Sequence, residues 1–284
     1  MNDDHLSNLP PHAPLAGVIG MPIAHSRSPL LHGYWLRKYG ITGHYIPMPV
    51  MPERLAEVLR ILPRAGFVGL NVTIPHKEAV LTLADVVTDR AALIGAANTL
   101  IFRPDGKIHA DNTDGYGFIA NLRQYASEWQ PDHGPAAVIG AGGAARAVVA
   151  SLLDSGVKEL RIANRTRMRA EQIKAEFGAR VVVYEWAQAG NMLQGAATVI
   201  NATSLGMEGK QPLRLLLDAL EPGAVVNDLV YTPLETPLLV AARDKGCRTV
   251  DGLGMLLHQA APGFERWFGQ RPVVDDDTRA TVLA

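Results

Sequence analysis

The sequence predicts an α/β protein of two domains, on three observations. Its 284 residues suit two domains at about 150 residues each. Strand-length apolar runs alternate with helix-length amphipathic segments from residue 15 almost to the end. Near the middle, the amphipathic helix 116-YGFIANLRQYASEW-129 and the polar loop 130-QPDHGP-135 interrupt that alternation and mark a boundary.

Before the boundary, 15-LAGVIG-20, 44-HYIPMPV-50, 67-FVGLNVTI-74, 97-ANTLIF-102 and 107-KIHAD-111 read as strands, with helices near 29–39, 52–62 and 76–95. The first helix carries its own punctuation: Ser28 as N-cap, Pro29 at the first helical position and Gly40 just past the end. Asp105-Gly106 sets a hairpin between the last two strands. Beyond the boundary come 136-AAVIG-140, 159-ELRIAN-164, 179-ARVVVY-184, 197-ATVINA-202 and 224-AVVNDLV-230, short uninterrupted apolar runs of the kind a parallel sheet buries on both faces. A last helix is expected over 255-MLLHQAAPGFERWFG-269, with a bend at Pro262.

Composition excludes several functions. The 27 basic and 28 acidic side chains nearly cancel, so nucleic acid and anionic membranes are not expected partners and any anion must be recognised locally. A single cysteine, Cys247, permits neither an internal disulfide nor a thiolate metal site, and no metal is expected; a reducing, cytoplasmic compartment is. No apolar run approaches the roughly 20 residues that span a bilayer. The acidic, proline-rich 1-MNDDHLSNLPPHAP-14 lacks an apolar h-region and reads as a loose tail.

The segment 136-AAVIGAGGAARAVVASLL-153 is a strand, a glycine turn and a helix, fitting G-x-G-x-x-A at Gly140, Gly142 and Ala145. The first glycine allows the tight turn and the second the approach of a pyrophosphate, while Ala145 lets helix and strand pack closely. This is the fingerprint of a Rossmann-like dinucleotide site, with Gly140, Ala141, Gly142, Gly143 and Ala144 as candidate contacts. Where an NAD site places an acid after the next strand, this chain has 164-NRTRMR-169. Arg165 and Arg169, four apart at the expected start of a helix, suit a 2′-phosphate, with Asn164 and Thr166 adding hydrogen-bonding groups. Cations are disfavoured at that end of a helix unless an anion binds there, so the expected cofactor is NADP. A nicotinamide needs a proton partner; in 71-NVTIPHK-77, Lys77 lies at a strand-to-helix junction, and Asp114 of 111-DNTDG-115 is the obvious carboxylate to tune it.

Taken together, 20-GMPIAHSRSP-29, 69-GLNVTIPHKEA-79, 95-GAANTL-100, 111-DNTDG-115, 140-GAGGAAR-146, 164-NRTRMR-169, 201-NATSLGM-207, 228-DLVYTP-233 and 251-DGLGMLLHQA-260 resemble the shikimate/quinate dehydrogenase family, in its order and spacing over nearly the whole chain. The resemblance implies an N-terminal open α/β substrate domain with a mostly parallel sheet, residues 1–113 plus 255–284, and a C-terminal Rossmann-like NADP-binding domain, residues 114–254. It implies NADPH-dependent reduction of 3-dehydroshikimate to shikimate, with Lys77 and Asp114 as the catalytic pair. Ser26, Ser28 and Tyr231 are then the hydroxyls for the substrate carboxylate, Thr73, Asn98 and Gln259 the contacts to ring hydroxyls and carbonyl, and Thr203, Ser204, Leu229 and Gly252 further cofactor contacts. His25, His76 and His258 adjoin motif residues but lack a metal-ligand pattern, and are expected to pack or hydrogen-bond locally. Two alternatives stay open: a quinate/shikimate dehydrogenase using NAD, and a non-catalytic NADP-binding relative. A homodimer is also left open.

Overall fold

A computed structural model describes residues 13–284, so the expected N-terminal tail, apart from its last two residues, lies outside the described residues. In chain order the first part comprises β1 (Leu15–Gly20), α1 (Ser28–Lys38), β2 (His44–Pro49), α2 (Leu55–Ile61), β3 (Phe67–Val72), α3 (Val80–Leu83), β4 (Val86–Val87), α4 (Asp89–Ile94), β5 (Thr99–Phe102) and β6 (Ile108–Asp111). The second comprises α5 (Asp114–Tyr125), β7 (Ala136–Ile139), α6 (Gly143–Asp154), β8 (Leu160–Ala163), α7 (Arg167–Phe177), β9 (Val181–Tyr184), β10 (Thr198–Asn201), β11 (Val225–Asp228), α8 (Pro237–Asp244) and β12 (Arg248–Val250). Then follow α9 (Leu253–Phe268) and α10 (Asp276–Leu283). Two compact units result. One reaches Thr113 and takes up Ala260–Ala284, and the other is Asp114–Gln259.

The first unit is built on a six-stranded sheet in the order β2-β1-β3-β5-β6-β4. Strand β1 pairs in parallel with β2 and β3, and β4 with β6, while β5 runs antiparallel to both β3 and β6. The β5–β6 hairpin turns at Gly106, whose φ of 81° is the left-handed conformation glycine permits. One face of the sheet buries Ile19, Leu70, Leu100 and Ala110 against Leu59 and Val80. Gly69 has no room for a side chain: a Cβ there would lie 2.0 Å from Trp267 Nε1, which donates to the Leu100 carbonyl at 3.0 Å.

Two expectations for this unit need correction. Ser28 is the first residue of α1 rather than its cap; no side chain caps the helix from Arg27, and the Ser28 N–H donates to Ser26 Oγ at 3.3 Å. The helix expected over 76–95 breaks into α3, β4 and α4. Val86 and Val87 pair with His109 and Ala110, Asp85 accepts from Ile108 N, and Thr88 caps a new helix by accepting from Ala91 N. Two β-branched residues beside an unpaired strand gain more from the sheet than from helix continuation.

The second unit's sheet is entirely parallel, in the order β12-β11-β10-β7-β8-β9. Alternate residues of β7 enter different cores: Ala136 and Val138 pack with Val148, Leu152 and Ile162, whereas Ala137 and Ile139 pack with Val199, Val226 and Leu239. Apolar side chains are therefore required at every position of that strand. The strand order reverses between β7 and β10, the switch point at which such sheets bind ligands. Strands β4 and β12 are additions to the sequence reading, being too short to show a period.

A buried aromatic cluster in the first unit holds His32, stacked on Tyr45 at 3.8 Å and edge-on to Trp35. Neither ring nitrogen of His32 has a well-formed hydrogen bond among the described residues. Burial pushes its pKa down from 6.5 to about 3, with Asn71 only partly opposing. Between those pH values the unfolded chain binds a proton that the folded chain does not. Stability is therefore full above pH 6.5 and falls as the pH drops toward 3, with a slope approaching about 1.4 kcal/mol per pH unit. His32→Phe, which keeps the ring stack, is expected to flatten the acid limb of a plot of unfolding free energy against pH. An unchanged slope would exclude His32 as its source.

Candidate functional site

In the first unit the candidate residues gather where the parallel strands β1 and β3 end. Thr73 follows β3, its N–H donates to the Ile19 carbonyl at 2.9 Å, and its methyl lies where a Cβ on Gly20 would approach to 2.5 Å. Past the Ile74-Pro75 turn, half-buried Lys77 has its carbonyl held by Ala97 N at 2.8 Å, one residue before Asn98. The side chain of Asn98 is 2% exposed, and its Oδ1 accepts from Thr99 Oγ1, Thr113 Oγ1 and Thr113 N at 3.0, 3.1 and 2.9 Å. Three donors on that oxygen fix which way the amide faces. The Asn98 carbonyl accepts from Val72 N and Asn71 Nδ2, and Asn71 in turn accepts from the Tyr45 hydroxyl at 2.7 Å. Ser28 is buried beside that hydroxyl and Ser26 is half-buried. Thr73, Lys77, Asn98 and the two serines thus hang on one hydrogen-bonded framework.

In the second unit, buried Asp114 is the first residue of α5, where a carboxylate complements the helix dipole. One turn on, Gly117 packs on Gln259; a Cβ at Gly117 would come within 2.8 Å of the Gln259 nitrogen. Gln259 is 9% exposed and its Nε2 donates to the Leu256 carbonyl at 3.0 Å.

The glycine turn follows β7, with φ of 109° at Gly140. Gly142 precedes α6 in extended conformation without a side-chain cap, and Cβ atoms at Gly142 and Gly143 would meet nothing within 4 Å. The first N–H groups of α6 therefore face an open cradle suited to a pyrophosphate. Asn164 braces it, accepting from Ala141 N at 3.1 Å and donating to the Thr166 carbonyl at 2.8 Å. Helix α7 starts at Arg167, so Arg165 precedes the helix rather than sharing its first turn with Arg169. Arg167 pairs with Glu171 and Glu185, whereas among the described residues no carboxylate pairs with Arg165 or Arg169, both exposed. The chain's own groups thus fit a dinucleotide carrying an extra phosphate.

A buried network that the sequence did not disclose orders the remaining candidates. Asn201 Nδ2 donates to Asp228 Oδ1 at 2.9 Å, and Asp228 also accepts from Thr236 Oγ1 and Val230 N. Burial pushes the Asp228 carboxyl above its ordinary pKa, and these donors oppose it. Asn201 Oδ1 accepts from Thr203 N and Oγ1, the Leu229 N–H donates to the Asn201 carbonyl, and Glu208 N donates to Thr232. The loops carrying Thr203, Ser204, Leu229 and Tyr231 are held together this way. Gly252 lies against them, its absent Cβ 2.3 Å from the Leu229 carbonyl. A polar residue ending each of two apolar strands was the available signal.

Of the three histidines beside motifs, buried His76 donates to the Val50 carbonyl at 2.8 Å, His258 bonds Gln124, and His25 is exposed.

Comparison with known proteins decides the family. Three family profiles match: "Shikimate dehydrogenase substrate binding domain" over residues 18–100, "Shikimate / quinate 5-dehydrogenase" over 127–207 and "Shikimate 5'-dehydrogenase C-terminal domain" over 252–280. The shikimate dehydrogenase (NADP(+)) of Paracoccus denitrificans is 79% identical over 97% of this chain and 98% of that one. The chain belongs to the shikimate dehydrogenase family. A second such relative, from Cereibacter sphaeroides, is 70% identical over 95% of this chain and 97% of its own. Among solved structures, shikimate 5-dehydrogenase from Thermus thermophilus in complex with NADP(H) and shikimate has a TM-score of 0.84 at 36% identity, covering 96% and 99% of the two chains. Quinate dehydrogenase from Corynebacterium glutamicum in complex with NAD has a TM-score of 0.88 at 32% identity, covering 95% and 99%. The shared architecture is thus an N-terminal α/β unit and a Rossmann-like unit, as the sequence predicts.

Proposed function

We propose that the chain reversibly reduces 3-dehydroshikimate to shikimate with NADPH, the shikimate-pathway step toward aromatic amino acids, in the cytoplasm. The observation that carries this reading over an NAD-dependent one is the glycine cradle followed by Arg165 and Arg169, which have no carboxylate partner among the described residues, where an NAD site would place an acid. NADPH bound at Gly140–Ala144 supplies the hydride for the ring ketone. Asn164, Thr166, Thr203, Ser204, Leu229 and Gly252 complete its contacts, with Arg165 and Arg169 on the 2′-phosphate.

Lys77, as ammonium, holds the proton that passes to the ketone oxygen, and Asp114 supplies the carboxylate of the proton-transfer pair and takes a ring hydroxyl. Thr73, Asn98 and Gln259 hydrogen-bond ring oxygens, while the hydroxyls of Ser26, Ser28 and Tyr231 take the substrate carboxylate as neutral donors. In this reading the residues to Thr113 and the C-terminal segment form the substrate-binding catalytic domain, and the glycine-turn unit the NADP domain.

Initial rates with shikimate and with quinate, each with NADP⁺ and NAD⁺, test the reading. Shikimate with NADP⁺ is expected to give the highest kcat/KM. A preference for quinate with NAD⁺ would overturn the choice of substrate and cofactor, and NADPH binding without turnover would mark a non-catalytic relative.

A further inference from the structure

Immediately before the Asn112-Thr113-Asp114 motif, Asp111 ends β6 with its side chain wholly buried. Oδ1 accepts from Thr88 Oγ1 at 2.9 Å, Arg90 Nε at 2.6 Å and the next residue's N–H, Asn112 N, at 2.8 Å. Oδ2 accepts from Arg90 Nη2 at 2.5 Å and from Arg266 Nη1, on α9, at 2.7 Å. Burial opposes ionisation, yet Arg90, Arg266 and Thr88 hold the carboxyl well below the usual carboxylate range. Both arginine side chains remain about half exposed, at 53% and 41%.

Burying a carboxylate beneath two arginines is not an economical way to stabilise a fold, since apolar residues of similar volume commonly do as well. What the arrangement provides is direction. The Asp111 carboxylate ties the start of α4, the first N–H of the motif loop and α9 to one point. Its backbone carbonyl accepts from Asn98 N at 3.0 Å, and Asn112 Nδ2 donates to the Ala96 carbonyl at 2.9 Å. Thr113, two residues on, gives two of the three donors that orient the Asn98 amide.

We propose that Asp111, clamped by Arg90 and Arg266, is a positioning residue for the reaction: it sets the Asn112-Thr113 loop and, through Thr113, the direction of the Asn98 amide toward a ring oxygen. The proposal rests on the function proposed above. Loosening the clamp displaces Asn98 rather than removing it, and a misplacement of about 1 Å can cost on the order of 100-fold in rate.

The test uses the full chain, with Arg266→Met, Arg90→Met, Arg266→Lys and Asp111→Asn compared with wild type for shikimate oxidation by NADP⁺ and for thermal unfolding. Arg266→Met and Arg90→Met are expected to lower kcat/KM for shikimate by roughly 10- to 100-fold while fully folded at the assay temperature, with the KM for NADP⁺ within about twofold of wild type. Arg266→Lys should recover most of the loss. If Asp111→Asn does not fold, the arginine variants still decide. Folded arginine variants with wild-type kcat/KM, or variants that lose activity only in step with folded protein, would overturn the proposal alone. A wild type unable to oxidise shikimate would overturn the functional reading and the proposal with it.

Discussion

Replacing Lys77 by alanine is expected to lower kcat by about 10² to 10⁴, the usual worth of a positioned general acid, with little change in the KM for NADPH. Alanine keeps the backbone tie at this residue, its carbonyl held by Ala97 N at 2.8 Å. The side chain is half-buried in the turn after β3, so its loss leaves the core of that sheet intact. Lys77→Arg should be nearly as inactive. It restores the positive charge, but a guanidinium does not release its proton near neutral pH. The two variants therefore distinguish proton donation from electrostatic attraction, and recovery of activity by arginine would assign Lys77 the latter. Near-normal kcat in Lys77→Ala, measured in steady state with saturating substrate, would remove the residue from the chemistry altogether.

The second large effect is expected at the cofactor. Arg165→Ala combined with Arg169→Ala should raise the KM for NADP⁺ roughly 10- to 100-fold and leave that for NAD⁺ nearly unchanged. Charge-assisted hydrogen bonds are worth about 1.5–3 kcal/mol each, and solvent exposure of both arginines reduces that figure. Specificity, not overall binding, is the informative readout. The extra phosphate distinguishes the two cofactors, and Arg167, lying between the pair in sequence, already engages Glu171 and Glu185. A kcat/KM ratio for NADP⁺ over NAD⁺ that survives both substitutions would place 2′-phosphate recognition elsewhere.

The sequence by itself determined the α/β class and the second unit almost strand for strand. Strands such as 136-AAVIG-140 are covered on both faces, as Val138 and Ile139 show by entering opposite cores, so burial left an unbroken apolar run to read. The glycine turn was legible because a tight turn and a close backbone approach tolerate few residue types. Lys77, Asp114, Asn98 and Gln259 could be named from the family resemblance, since chemistry constrains residue type locally. Tertiary structure alone decided the features that depend on partners distant in sequence. Val86 and Val87 became a strand because the edge of β6 lay beside them, and Ser26 rather than Ser28 offered the hydroxyl at the start of α1. The Asp111 clamp joins side chains 21 and 155 positions away, and the Asn201–Asp228 bond spans 27. No local period or motif encodes such pairs: a buried carboxylate is tolerable only with its donors in place, and the fold brings them there.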